Sequence, residues 1–74
     1  MDSVDQALRL TVNGSPTTCG RPCSIAQLIE LLKLTGAKGM AVAVNGRVIP
    51  AAHWGSHFLN DDDQVLIVHA VQGG

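Results

Sequence analysis

Three clusters of side chains and one backbone group in this sequence could do chemistry. Cys19 and Cys23 are separated by three residues, His53 and His57 likewise, Asp61-Asp62-Asp63 are contiguous, and the sequence stops at Gly73-Gly74. Two thiols and two imidazoles form the donor set of a tetrahedral zinc site. A finger, however, places about 12 residues between the pairs, and here a helix and a hairpin intervene. The cysteines therefore read as two free thiols, the usual state inside a cell, and the histidines as surface imidazoles. His53 and His57 would share a helical face, but Pro50 before them and Gly55 between them oppose a helix. A Cys–His nucleophilic pair needs a third orienting group and a pocket. A chain this short is expected to lack a pocket of even about 300 Å3. Asp61 to Asp63 could bind a cation through oxygen, but the glycine and distant Glu of a calcium loop are missing. They read as a solvated turn that could meet a basic rim on a partner. Trp54 reads as a plug at the end of a small core, and His69 as a surface group near the tail.

The remaining group is the carboxylate of Gly74. A terminal carboxyl titrates near about 3.5 and is ionised at neutral pH. Glycine has no Cβ, so Gly73 and Gly74 can enter a slot that a side chain would block. At average composition a terminal Gly-Gly arises by chance in roughly one chain in 200. Such a carboxylate can attack the α-phosphate of a nucleotide and become an acyl-adenylate. The competing reading is a frayed, inert terminus.

Composition narrows the partners. The 74 residues are 46% hydrophobic and only 15% charged, with a net charge of −1, against about 25% charged in typical soluble domains. With no basic run, one Phe and one Trp, the chain lacks the phosphate contacts and stacking platform of a nucleic-acid binder. No stretch approaches the roughly 20 apolar residues of a membrane span, and Met1 to Gln6 is acidic without a signal-peptide core. The expectation is a cytoplasmic domain, monomeric alone, whose excess apolar surface docks a protein.

The elements that must position the tail follow from periodicity. Residues 1–6 are polar and expected to be a flexible extension, 7–71 the domain, and 72–74 an exposed tail. Leu8, Leu10 and Val12 alternate with Arg9 and Thr11, a half-buried strand. Asn13-Gly14 signals a hairpin, and Ser15 to Cys19 can run back as a second strand, with Pro16 suited to its start or to an edge. Ser24 and Gln27 form a capping box ahead of Ile25, Leu28, Ile29 and Leu32 on one helical face, with Gly36 expected to end the helix. Met40, Val42 and Val44 alternate in a third strand, Asn45-Gly46 turns it, and Arg47 to Ile49 return until Pro50. Gln64 to Val71 is a last strand, apolar at both parities as a central strand would be. The order is β-β-α-β-β-β, an α+β fold with one helix across one face of a mixed sheet. One helix covers one face only. If Val65 and Ile67 face it, Leu66 and Val68 face outward and form a candidate partner surface.

This order with a protruding Gly-Gly resembles the ubiquitin-like β-grasp family. Met40 to Pro50, then Trp54, His57, Asp61 to Asp63, Gln64 and the apolar strand to Gly73-Gly74, is similar to the sulfur carrier family of thiamin biosynthesis. Asn45-x-x-Val48-Ile49-Pro50 with Trp54 four residues later is the more specific part. The resemblance covers residues 7 to 74 and is tighter over 40 to 74. Two departures are the residues before Ala7 and Asp62, where the family often has glycine. The resemblance implies a carrier and not an enzyme. An adenylyltransferase would use ATP and Mg2+ to adenylate Gly74, and a sulfurtransferase or cysteine desulfurase would supply a persulfide. The Gly74 thiocarboxylate would then pass its sulfur to thiazole synthase. The carrier itself would bind no cofactor. Other carriers of this type serve molybdopterin synthesis, transfer-RNA thiolation or protein conjugation. A β-grasp interaction module with an inert terminus is the further alternative. Before the tail this chain has His69-Ala70-Val71-Gln72 and not the Pro and large aromatics of the molybdopterin carriers.

Overall fold

The computed structural model describes residues 7–34 and 39–69. Gly36, the end of the last expected strand, and the Gly73-Gly74 tail lie outside the described residues. The elements are β1 (Ala7–Val12), β2 (Ser15–Gly20), α1 (Ile25–Leu31), β3 (Met40–Val44), β4 (Arg47–Ile49), a 3-10 turn (Ala51–His53) and β5 (Gln64–His69). The five strands form one sheet in the order β2-β1-β5-β3-β4. The strand nearest the tail is thus central, parallel to β1 and antiparallel to β3. This is the ubiquitin-like β-grasp architecture expected from the sequence.

Both Asn-Gly pairs make the turns their composition demands. Asn13 and Gly14 have φ of 52° and 86°, and Asn45 and Gly46 have 52° and 85°. Positive φ at both central positions is the type I′ geometry whose twist matches paired strands.

The capping box at α1 is complete. The Ser24 hydroxyl accepts from the Gln27 N–H, and the Gln27 side chain accepts from the Ser24 N–H. The next unpaired donors are met from outside the helix. The Ile25 N–H donates to the His57 carbonyl at 3.0 Å and the Ala26 N–H to the Trp54 carbonyl at 3.1 Å. The stretch between the 3-10 turn and β5 therefore serves as a second cap, which accounts for its irregular backbone.

The helix stops earlier than expected. Its last residue is Leu31, and Lys33 takes the left-handed conformation at φ 60°. Lys33 N–H donates to Glu30 and Leu34 N–H to Ile29, the paired bonds of a Schellman ending. A lysine pays about 1 kcal/mol for that backbone. The bonds satisfy two end carbonyls, and Leu34 packs against the core, which offsets the cost.

The cysteines also differ from expectation. Cys19 and Cys23 form a disulfide, with Cα atoms 6.4 Å apart, within the span a bridge accepts. Cys19, one residue before the end of β2, lies opposite Leu8 and points into the core, and the turn returns Cys23 to the same side. Both are buried. The five-residue closure was not visible from the spacing because it depends on both side chains facing inward.

The core lies between α1 and the sheet, centred on Leu8, Ile25, Leu28 and Val42, each at most 1% exposed. Trp54 closes one end of it. The side chain is buried and its indole N–H donates to the Ile49 carbonyl at 2.8 Å. No helix among the described residues is long and apolar enough to cross a membrane.

Candidate functional site

β5 carries the chain toward its terminus, so the site begins with what fixes β5. Its alternation resolves the parity left open by the sequence. Val65 and Ile67 are 3% and 7% exposed beneath the helix, while Leu66 and Val68 are 51% and 49% exposed on the other face. Ala43 lies opposite Leu66 and Ala41 opposite Val68, and Val48 of β4 lies opposite Ala43. Directly opposed residues share a face. The two alanines therefore floor a trough between the β5 ridge and Val48, which is 68% exposed. An open groove of about 570 Å3 runs beside it, with Thr11, Ala43, Gln64 and Leu66 in its lining. The chain thus does form a concavity larger than expected, but as a surface trough with no titratable side chain in its wall. It suits a partner's apolar side chains more than catalysis.

Two asparagines that the sequence marked only as turn formers tie β5 in place. Asn45 donates its backbone N–H to the Gln64 carbonyl, and its side-chain oxygen accepts from the Gln64 N–H at 2.9 Å. Asn13 donates its backbone N–H to the Val65 carbonyl. Its carboxamide then accepts from the Ile67 N–H at 2.8 Å and donates to the Ile67 carbonyl at 3.1 Å. Nothing in the local sequence announces a partner 54 residues away. The available signal was that Asn in a left-handed turn has a short polar arm free to bond.

The acidic turn is only partly the solvated element expected. Asp63 is buried, 8% exposed. Its carboxylate accepts from the Asn60 N–H at 2.8 Å and from the Asn45 amide at 3.0 Å. A buried carboxylate needs such donors, and the tight turn from Asn60 supplies one while the β3–β4 hairpin supplies the other. Asp61 is exposed and accepts from the Arg9 N–H at 3.0 Å and the Arg21 guanidinium at 2.8 Å. The Arg9 backbone donor, then the Arg21 side chain, hold its carboxyl below the usual carboxylate range. Asp62 stands at φ 69°. That left-handed backbone is the physical reason a glycine suits this position, and Asp is among the side chains that tolerate it.

The other sequence candidates are not brought together. His53 lies on the exposed 3-10 turn, His57 is half-buried beside α1, and His69 is exposed at the end of β5. Both cysteine sulfurs are bonded to each other. Among the described residues no three of His, Cys, Asp or Glu gather as a metal ion would require.

A model of the ThiS family matches residues 10–74, through the final glycine. The chain belongs to the ThiS family. It is similar to the sulfur carrier protein ThiS of Escherichia coli, with 28% identity over 67 residues, covering 90% of this chain and 100% of that one. It is 28% identical over 71 residues to the uncharacterised protein ycf40 of Porphyra purpurea, covering 96% and 99% of the two chains. The crystal structure of the thiamine biosynthesis protein ThiS from Geobacter metallireducens superposes with a TM-score of 0.77 at 29% identity. It covers 90% of this chain and 100% of that one. The family match therefore spans the end of β1 and all of β2 to β5.

Proposed function

We propose that this chain is a sulfur carrier for thiamin biosynthesis whose working group is the Gly74 carboxylate. The observation that carries the reading is the family match, which runs through Gly73-Gly74 at the end of a segment led out by the central strand. The chemistry needs four steps, each catalysed outside the carrier. The carboxylate attacks the α-phosphate of ATP in an adenylyltransferase, with Mg2+, releasing pyrophosphate and forming an acyl-adenylate. The terminal sulfur of a persulfide on a sulfurtransferase or cysteine desulfurase displaces AMP. A thiol then takes the second sulfur of the acyl-disulfide, leaving a thiocarboxylate and a new disulfide on the donor. Thiazole synthase accepts that sulfur. Adenylation turns a poor leaving oxygen into a good one, and the thiocarboxylate is a sulfur nucleophile held on a protein. The carrier catalyses none of this. It offers an apolar docking face at Leu66 and Val68 and a slim terminus. In this reading the carrier works in the cytoplasm, where its activating enzyme has ATP.

Intact mass after incubation with ATP, the activating enzyme and a sulfur donor tests the proposal. Replacement of one terminal oxygen by sulfur is expected. An unmodified terminus leaves a β-grasp interaction module, and an isopeptide to lysine on other proteins makes it a modifier. Gly74→Ala is expected to slow adenylation sharply with unfolding unchanged. Near-normal thiocarboxylate yield from that variant would refute the role of the bare terminus. Titration of the activating enzyme into labelled carrier should shift the Leu66 and Val68 resonances. Unmoved resonances there would remove the docking face from the proposal.

A further inference from the structure

The support given to β5 is unequal on its two edges. On the β3 edge, Val65 to His69 each face a strand partner. On the β1 edge the parallel ladder ends with Val12 opposite Val65, because the chain turns away at Asn13-Gly14. The Asn13 carboxamide supplies the next rung. It bonds both the N–H and the carbonyl of Ile67, the two contacts that strand backbone would make there. Its own backbone is pinned by the left-handed turn and by the bond to Val65, so the side chain is a fixed bracket.

We propose that Asn13 is a positioning residue for the reacting terminus: its bracket at Ile67 holds the outgoing half of β5 on one line with the Leu66–Val68 face. This rests on the reading of Gly74 as the group that is adenylated. A partner seated on Leu66 and Val68 receives the tail along the direction that β5 has at His69. Without the bracket, that half of the strand is tied along one edge and can swing about it. The docking face is still present, so encounter is unaffected. Delivery of the carboxylate suffers, because a misplacement of about 1 Å at a reacting centre can cost on the order of a hundredfold in rate.

The test uses the full-length carrier and the ATP-dependent adenylyltransferase of its host, followed by ATP–pyrophosphate exchange. Asn13→Gly keeps the turn, since glycine adopts positive φ freely, and removes the carboxamide. Asn13→Asp keeps the acceptor and loses the donor. At saturating carrier, Asn13→Gly is expected to lower kcat about tenfold with KM held within about twofold, and Asn13→Asp to fall between it and wild type. A merely structural role would leave kcat alone and raise the apparent KM in proportion to the unfolded fraction, and that result overturns the proposal. Amide residual dipolar couplings of Val68 and His69 give a readout without any enzyme. They are expected to change in Asn13→Gly, and unchanged couplings also overturn it. A wild-type carrier that supports no exchange instead overturns the carrier reading, so the two failures are distinct.

Discussion

Asn13-Gly14 and Asn45-Gly46 have the same sequence and nearly the same backbone, yet the two asparagines do different work. Asn45 reaches the first residue of β5 and the buried Asp63. Asn13 reaches past the end of the β1 ladder to Ile67. Identical dipeptides fold identical hairpins, while the neighbour each side chain finds is set by topology. Both turns lie where β1 and β3 end beside the beginning of β5. From the antiparallel partner the arm meets the strand's entrance, and from the parallel partner it meets a strand that has outrun its neighbour.

The sharpest way to break this comparison is to replace each asparagine by glycine. Asn45→Gly takes a donor from a buried carboxylate and is expected to cost about 2 to 3 kcal/mol in denaturant unfolding. Adenylation by the folded fraction should be unchanged. Asn13→Gly removes two neutral bonds and is expected to cost about 1 to 2 kcal/mol. Equal losses in stability together with equal kcat would erase the distinction. Gly14→Ala and Gly46→Ala come next. A Cβ at either glycine meets nothing within 4 Å, so only the positive φ is penalised. Each should cost about 1 kcal/mol net, and thermal melts of the two should coincide. A clear difference between them would mean that the turns are not equivalent in backbone after all.

The smallest effect lies at Asp61, which ties the acidic turn to β1 and to the β2–α1 connection. Its carboxyl sits below the ordinary value in the folded chain, because the Arg9 N–H and then the Arg21 guanidinium favour the anion. The stabilisation is therefore fully present above the unfolded carboxylate pKa and lost as pH falls through the folded one. Asp61→Asn should lower stability slightly at neutral pH and not at all in strong acid, as read by urea unfolding at several pH values. High salt should reproduce only the Arg21 part, since that pair is exposed and screened.

Much of this fold was legible because it rests on local rules. Alternation gave the strands, the two Asn-Gly pairs gave the hairpins, and Ser24 with Gln27 gave the start of α1. The outward face at Leu66 and Val68 followed from counting one helix against a strand apolar at both parities. The end of the helix was not legible, because a Schellman ending can seat a lysine when the next leucine packs on the core. The burial of Asp63 and the Cys19–Cys23 bridge were hidden for a related reason. Each depends on which way a side chain points once the strands have paired. The bracket at Ile67 was the least visible, since its two halves sit at opposite ends of the chain. The tail chemistry rests on the Gly-Gly pair and the family likeness, and the fold contributes the strand that leads to it.

The central place of β5 also bears on how the protein is made. Its partners β1 and β3 precede it in the sequence, and the β1–β5 pairing joins residues such as Thr11 and Gln64. Sheets built from such distant pairings form slowly, because the loop must close before contacts reward it. During synthesis, the hairpins and helix leave the ribosome with a gap in the middle of the sheet. They cannot close over the core until the strand leading to the glycines has emerged. Folding is thereby coupled to production of the very segment that would carry sulfur. A chain cut short before β5 would expose its core to proteases and would not compete with intact carriers for the activating enzyme.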